Sequence, residues 1–479
     1  MARYYLTTTL PYVNAKPHIG FALELVQADA WVRHHESLGD EVFFNTGTDE
    51  HGQKIWEAAQ KEGKEAKTYV DLYAEEFKKL KVSLGLSDAL SFVRTTDLHH
   101  EAAAKEMWKR CEKDIYKKEY EGLYCVGHEA FLTEKDLVDG LCPEHKTKPK
   151  LLKEKNYFFA LSKYQERLIE YLSRPGVIVP EWRRLEALQF VKSGLEDFSI
   201  SREKARLSWG VPVPGDDSQV MYVWFDALTS YISTLGWPED SQENFKKFWE
   251  EGRTIQMAGK DQVRFQSIMW QAMIMSASKD GKKIKNTDVV FYHGFINSGG
   301  QKMSKSLGNV ISPEDLIAKY GVDATRYLLL RHVNATEDTD ITWDKLDEWY
   351  TADLVNGLGN LVARIMKLAE VHLGGPAVTA DKKTEDKSLI NAMAAFDYNL
   401  FTSLIWMSIS DLDQQIQEEQ AFALVKKDAA AGAALIRAYV EKLFYIGKWI
   451  EPAMPRTSAA IVGAIMANKK PDNLFPRLA

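Results

Sequence analysis

Cysteine is scarce, with three in 479 residues. That excludes a disulfide-built scaffold and points to a reducing, cytoplasmic setting. No run of 18 or more apolar residues occurs, so no transmembrane helix and no membrane partner are expected. The first residues, Met1-Ala2-Arg3-Tyr4-Tyr5-Leu6, lack a basic segment leading into an apolar one, so no secretory signal is expected. Positive charge is not in excess: 61 Lys and Arg face 68 Asp and Glu, a formal net charge of -7. A nucleic-acid partner must then be held by local patches or by shape. Internal repeats and low-complexity tracts are also missing. What remains, 45% hydrophobic and 27% charged, is an ordinary globular composition, long enough for two to four domains.

Tyr4 to Thr9 reads as a strand closed by Pro11 and Asn14. Ile19, Leu23, Val26, Ala30 and Val32 give a helical stripe over 18–35. Glu41 to Phe44 is a second short strand, ending in the polar run Asn45 to Gly52. This is a βαβ grammar, and it returns at Thr254 to Met257, which leads into Gly259-Lys260-Asp261, and at Val289 to His293, which leads into Gly294. Residues 1–115 and 220–325 therefore read as two halves of one doubly wound parallel sheet, split by an insert at 116–219. After a short region at 326–350 the pattern turns helical. Leu354, Leu358, Leu361 and Ile365 recur at helical spacing, as do Tyr439, Leu443, Ile446 and Ile450, so 351–479 reads as an all-α bundle.

The chemistry concentrates in two places. Lys302-Met303-Ser304-Lys305-Ser306 follows Gly299-Gly300 and precedes Gly308, which predicts a mobile lysine loop able to close on a polyphosphate. Pro17-His18-Ile19-Gly20 stands at a predicted helix start, where unbonded backbone N–H groups and an imidazole suit phosphate oxygen, and where Gly20 lets a nucleotide come close. A lone His-x-Gly reads equally well as a helix cap. With Lys302 and Lys305 present, the phosphate reading is the stronger. The reaction suggested is attack of a carboxylate on the α-phosphate of ATP, with pyrophosphate leaving, driven by positioning and charge stabilisation.

With these residues the chain resembles the methionyl-tRNA synthetase family of class I. Pro17-His18-Ile19-Gly20 matches the first family signature and Lys302 to Ser306 the second. Thr46 to Gly52 and Tyr222-Val223-Trp224-Phe225-Asp226-Ala227 narrow the class to the methionine branch, and the resemblance runs essentially end to end. It implies a Rossmann-type domain split by a connective insert, then a stem-contact region and an α-helical anticodon-binding bundle. It implies ATP with Mg2+, methionine and tRNA(Met) as substrates. Residue by residue, it implies that His18, Gly20, Gly294, Lys302 and Lys305 serve ATP, with His18 and the two lysines catalytic. Asp49 takes the substrate ammonium. Leu10, Tyr12, Trp224, Ala227, Tyr231, Asp261, Gln262, Gln266 and Trp270 line the methionine pocket, aromatic walls being favourable to a thioether. By pattern alone, Trp224 and Trp270 read as plain core. Asn360 and Arg364, four apart on one helical face, and Phe422 match anticodon-reading positions.

This chain departs from the family at several points. Phe21 stands in place of the second histidine of the first signature, which predicts that Lys302 and Lys305 carry more of the phosphate charge. Gln262 and Gln266 replace an isoleucine and a histidine, and their spacing predicts that both face the ligand. Ala421-Phe422 replaces Pro-Trp. The insert carries Cys125-x2-His128 and Cys142-x2-His145, 13 residues apart, a spacing that fits a structural zinc knuckle. The family's one-zinc forms usually offer three cysteines and one histidine, so a knuckle that has lost its metal is the alternative. Cys111 reads as a buried thiol. The insert is too short for the editing domain of the valine, isoleucine and leucine enzymes, and no dimerisation module follows the bundle, so a monomer is expected. Rivals are another class I specificity, a non-catalytic tRNA-binding relative, and a small nucleotidyltransferase.

Overall fold

The structure, a computed structural model, describes residues 1–126, 130–132, 134–143, 146–278, 283–303, 310–380 and 384–478. The chain divides into two compact units. The first comprises Met1–Pro17, Glu41–Lys79 and Asp88–Tyr292; the second comprises His18–Asp40, Leu80–Ser87 and His293–Ala479.

In chain order, the strands that matter here are β1 (Arg3–Thr7), β2 (Glu41–Thr48), β3 (Leu90–Arg94), β4 (Ile115–Cys125), β5 (Lys150–Phe159), β6 (Ile178–Val179), β7 (Arg253–Gly259) and β8 (Val289–His293). Six of them form one sheet in the order β3-β2-β1-β7-β8-β6. The registers β1 to β2, β2 to β3, β1 to β7 and β8 to β6 are parallel, with Tyr5 opposite Phe43 on one side and Thr254 on the other. Tyr5, Leu6, Phe44, Val290 and Phe291 are fully buried, as a parallel strand covered on both faces requires. The chain winds outward from β1 through β2 to β3, then resumes on the other side of β1 with β7. Strand order thus reverses between β1 and β7, and the carboxyl ends at such a switch point are where open α/β sheets bind ligands.

The insert is a four-stranded antiparallel sheet. Its spine is the pairing of β4 with β5, from Ile115 opposite Phe159 to Tyr124 opposite Lys150. One boundary needs correction. Residues 178–179 fall in the range read as insert, yet β6 is the edge strand of the parallel sheet, paired with Val290 and Phe291. Two residues give no period from which a strand can be read. Cys111 is fully buried, its Sγ 3.6 Å from the Met273 carbonyl oxygen, as expected of a packed thiol.

The helices used below are α1 (Ile19–Ser37), α2 (Leu98–Cys111), α3 (Val223–Leu228), α4 (Trp270–Ala277), α5 (Val322–His332), α6 (Asn360–His372), α7 (Tyr398–Glu419), α8 (Ala429–Trp449) and α9 (Pro455–Met466). In the second unit, α6 and α8 bury Leu361, Ile365, Tyr439 and Leu443, faces predicted by helical spacing, and α7 and α9 bury Ile405, Ile409 and Ile461. No described helix is long and apolar enough to cross a membrane.

Candidate active site

The amino-acid half lies in the first unit, at the carboxyl ends of β1, β2 and β7. Beyond β1 the chain stays extended, so that Tyr12 bridges Asp49 in parallel register. Asp49 N–H donates to the Pro11 carbonyl at 3.0 Å, and Val13 N–H donates to the Asp49 carbonyl at 3.4 Å. These bonds fix Asp49, itself 1% exposed, beside Tyr12. The Tyr12 ring meets Trp224 edge-on at 6.2 Å, and Trp224 stacks on Phe265 at 3.9 Å with a 12° interplanar angle. Tyr231 meets Trp270 edge-on at 5.6 Å. Ala227 and Tyr231 are buried, Trp270 is fully buried, and Leu10 and Trp224 are partly exposed. Trp270 is thus a core residue in contact with Tyr231. Phe265 was missed in the sequence; it lies next to Gln266, and only the stacking geometry singles it out.

The two glutamines stand in different local settings. Gln262 ends a tight 3-10 turn (Lys260–Gln262), whereas Gln266 sits in a π-helical stretch (Arg264–Met269) that runs into α4. The four-residue rule holds for a regular α-helix, and this change of pitch breaks it. Gln262 Nε2 donates to Asp261 at 2.8 Å beside solvent, while Gln266 is buried and its Nε2 donates to the Tyr231 hydroxyl at 2.5 Å. Asp261 is exposed.

Three consecutive ionisable residues point three ways. Asp49 keeps to the strand end. Glu50, fully buried, takes two bonds from Arg94 at 2.6 and 2.8 Å and one from Thr96 at 2.5 Å. His51 Nδ1 lies 2.6 Å from Asp226 Oδ2, and His100 Nε2 lies 2.8 Å from Asp226 Oδ1. Asp226 is fully buried. Burial alone raises its carboxyl, but the His51 charge and the bonds from His100 and His51 hold it down at about 2. Burial lowers the His51 imidazolium, and the Asp226 carboxylate more than offsets this, so it is raised. His51 and Asp226 stood inside the two quoted motifs, but 175 residues separate them, and nothing in the sequence pairs them.

The nucleotide residues lie in the second unit. His18 is the N-cap of α1, and its Nδ1 accepts from Gly20 N–H at 3.1 Å and Phe21 N–H at 3.4 Å. The expectation of unbonded first-turn N–H groups beside His18 is therefore corrected: the imidazole takes them itself. With Nδ1 accepting, the neutral ring of this exposed residue carries its proton on Nε2. A Cβ at Gly20 would stand 3.0 Å from two atoms of that ring, so Gly20 makes room for the cap. Phe21 is buried. His293 Nδ1 donates to the Gly294 carbonyl at 2.8 Å, and its Nε2 lies 2.9 Å from Glu24 of α1.

The glycine pair also differs from its reading as a loop. Gly299 and Gly300, at φ 66° and 74°, form the two-residue turn of a hairpin in which Ser298 pairs with Gln301 and Asn297 with Lys302. Lys302 thus sits on a strand, and Lys305 lies outside the described residues. In the bundle Asn360 and Phe422 are exposed, and the Arg364 guanidinium is paired with Asp413. Cys125 and Cys142 are buried, whereas His128 and His145 lie outside the described residues. Among the described residues no group of three or more His, Cys, Asp or Glu is placed to hold a metal.

Comparisons with known proteins agree with this geometry. The family model described as tRNA synthetases class I (M) matches residues 4–150 and 144–366. The methionine--tRNA ligase of Fusobacterium nucleatum is 37% identical over 98% of this chain and 76% of its own length. The chloroplastic/mitochondrial methionine--tRNA ligase of Arabidopsis thaliana is 43% identical over 76% of this chain and 59% of its own. The Mycobacterium tuberculosis methionyl-tRNA synthetase solved in complex with methionyl-adenylate superposes with a TM-score of 0.88 at 35% identity, covering 96% of this chain and 93% of that one. Motif order, the split sheet and end-to-end similarity converge, and the chain belongs to the methionyl-tRNA synthetase family of class I tRNA synthetases.

Proposed function

We propose that this chain activates methionine with Mg2+-bound ATP, releasing pyrophosphate, and transfers it to the 3′ end of tRNA(Met). The observation that carries the reading is the buried Asp49, its backbone bridged to Tyr12, whose ring meets Trp224, itself stacked on Phe265. A buried carboxylate meets the ammonium, and the rings, with Leu10, Ala227, Tyr231 and Trp270, enclose the thioether. Gln266 holds the Tyr231 hydroxyl at that wall. Gln262 and Asp261 stand at the rim. The methionine carboxylate attacks the α-phosphate, and the His18 Nε2 proton, Lys302 and Lys305 stabilise the charge that develops on phosphate oxygens, with Gly20 and Gly294 shaping the nucleotide side. Asn360, Arg364 and Phe422 read the anticodon, Phe422 by stacking and Arg364 with its fork already held by Asp413.

The test is ATP–pyrophosphate exchange against all twenty amino acids. Exchange with methionine alone is expected; exchange with another amino acid, or with none, overturns the reading. Lys305→Ala should lower the adenylation rate and leave methionine affinity near wild type, whereas a pure loss of methionine affinity contradicts the role given to Lys305.

The knuckle fits a structural zinc. Two buried thiols and two imidazoles are a valid tetrahedral donor set. Cys142 is held by its backbone, its N–H donating to Thr147 O at 2.9 Å and its carbonyl accepting from Lys146 N–H at 2.8 Å. Cys125, His128, Cys142 and His145 would hold the ion, and it takes no part in the reaction. Elemental analysis should find about one zinc per chain, and a chelator should lower the melting temperature. Zinc-free protein with unchanged melting removes the assignment. The low cysteine content supports a cytoplasmic setting, and light scattering should find a monomer.

A further inference from the structure

We infer that Asp226 is a positioning residue for methionine recognition: it sets the distance between the carboxylate that takes the ammonium and the wall that takes the side chain. The inference rests on the proposed role of Asp49. Asp49 and the aromatic wall come from different parts of the chain. Asp49 belongs to the turn that leaves β2. Trp224 and Ala227 belong to α3, and Tyr231 follows three residues after its end. Recognition of one small amino acid requires both ends to be held to a fraction of an ångström.

Asp226 lies between Trp224 and Ala227 and has no access to solvent. One of its oxygens receives His51, two residues beyond Asp49; the other receives His100 of α2. His100 continues through its Nδ1 to Ser233 Oγ at 2.8 Å, just past Tyr231, so the chain of bonds closes back on the wall. Trp209 covers this hub, its ring 5.3 Å from His51 and its Nε1 donating to the Glu50 carbonyl at 2.6 Å. Such a charged pair, sealed from water, is stiff, and losing one partner leaves the other buried and unbalanced.

A plain core carboxylate would fit the burial equally well. The placement separates the two roles. The wall is also held by contacts independent of Asp226: Trp224 on Phe265, Trp224 against Tyr12, and Tyr231 on Trp270. The Asp49 turn is joined to the wall's helix by the His51–Asp226 pair, besides its backbone bonds to Pro11 and Val13. Loosening Asp226 should therefore shift the ammonium site more than the thioether site.

The experiment compares wild type, Asp226→Asn and His51→Gln in methionine-dependent exchange. Each is also tested with a competitor that keeps the thioether and carboxylate but lacks the amino group, 4-(methylthio)butanoate. The KM for methionine should rise about tenfold or more in Asp226→Asn and less in His51→Gln, with kcat within about threefold and the inhibition constant of the competitor within about twofold. An unchanged KM overturns the inference. So does a competitor constant that rises in step with KM, which marks general damage to the pocket. Asp49→Ala is the separate control: if it leaves the KM for methionine unchanged, the role of Asp49 fails first, whatever Asp226 does.

Discussion

Replacing His18 by alanine should lower the rate of adenylation by about 100- to 1000-fold, the usual cost of removing one donor aimed at developing charge. The variant alone is ambiguous, because the imidazole has two jobs. Its Nδ1 caps α1 by accepting from Gly20 and Phe21, which leaves the Nε2 proton as the donor proposed for phosphate. His18→Ala loses both. His18→Asn keeps a good capping acceptor and loses the Nε2 donor. The two variants should therefore differ in stability by about 1 kcal/mol, the alanine being the weaker. They should be similar in activity, both far below wild type. An asparagine variant with adenylation within a few-fold of wild type would reduce His18 to a cap, and the phosphate charge would then fall to the lysines. Gly20 supports the same point from another side, because a side chain there would push the ring from its cap. Gly20→Ala should therefore follow His18→Ala in activity and in stability alike.

The contrast shows where sequence and structure part company. Local pattern was enough to place a helix start at His18, because a strand, a turn with proline and an apolar stripe follow one another within a few residues. It was enough for the strand Val289–His293, whose bounds agree with the structure, and for the apolar faces of the C-terminal helices. It failed where the decisive partner is distant or the local geometry is irregular. Asp226 and His51, or Asp29 and Arg326, are paired by the winding of the chain, and no periodicity announces such a bond. Gln262 and Gln266 misled because a 3-10 turn and a π-helical stretch replaced the regular helix that their spacing assumes. Gly299-Gly300 misled because a glycine pair suits a loop and a tight hairpin turn equally, and only strand pairing on both sides decides.

Within the second unit, the helix that presents His18 is anchored by one fully buried ion pair, and removing Asp29 should destabilise the protein by about 3–5 kcal/mol. Asp29, on α1, accepts from Arg326 Nη2 at 2.7 Å, Arg33 Nε at 2.8 Å and Ser87 N–H at 2.6 Å. Arg326, on α5, spends its other donors on the carbonyls of Ala453 at 2.9 Å, Pro452 at 2.8 Å and Leu84 at 3.3 Å. Both side chains are fully buried. Coulomb attraction alone does not make such a pair stabilising, since both ions have left water. The asymmetry matters instead: either partner left alone is a buried, uncompensated charge. Asp29→Ala should therefore be worse than Asp29→Asn, which keeps an acceptor for Ser87 and Arg326. Asp29→Leu combined with Arg326→Met should recover part of the loss, because it removes both charges together. Urea unfolding of wild type, Asp29→Leu, Arg326→Met and the double variant measures the cycle, with Asp29→Ala and Asp29→Asn unfolded alongside. A cost below about 1 kcal/mol for Asp29→Ala would show that the site takes up water and that α1 is held by its apolar face alone. If the pair is the anchor, adenylation by Asp29→Ala should also fall at temperatures where the protein remains folded, because a loosened α1 no longer presents His18 at a fixed position.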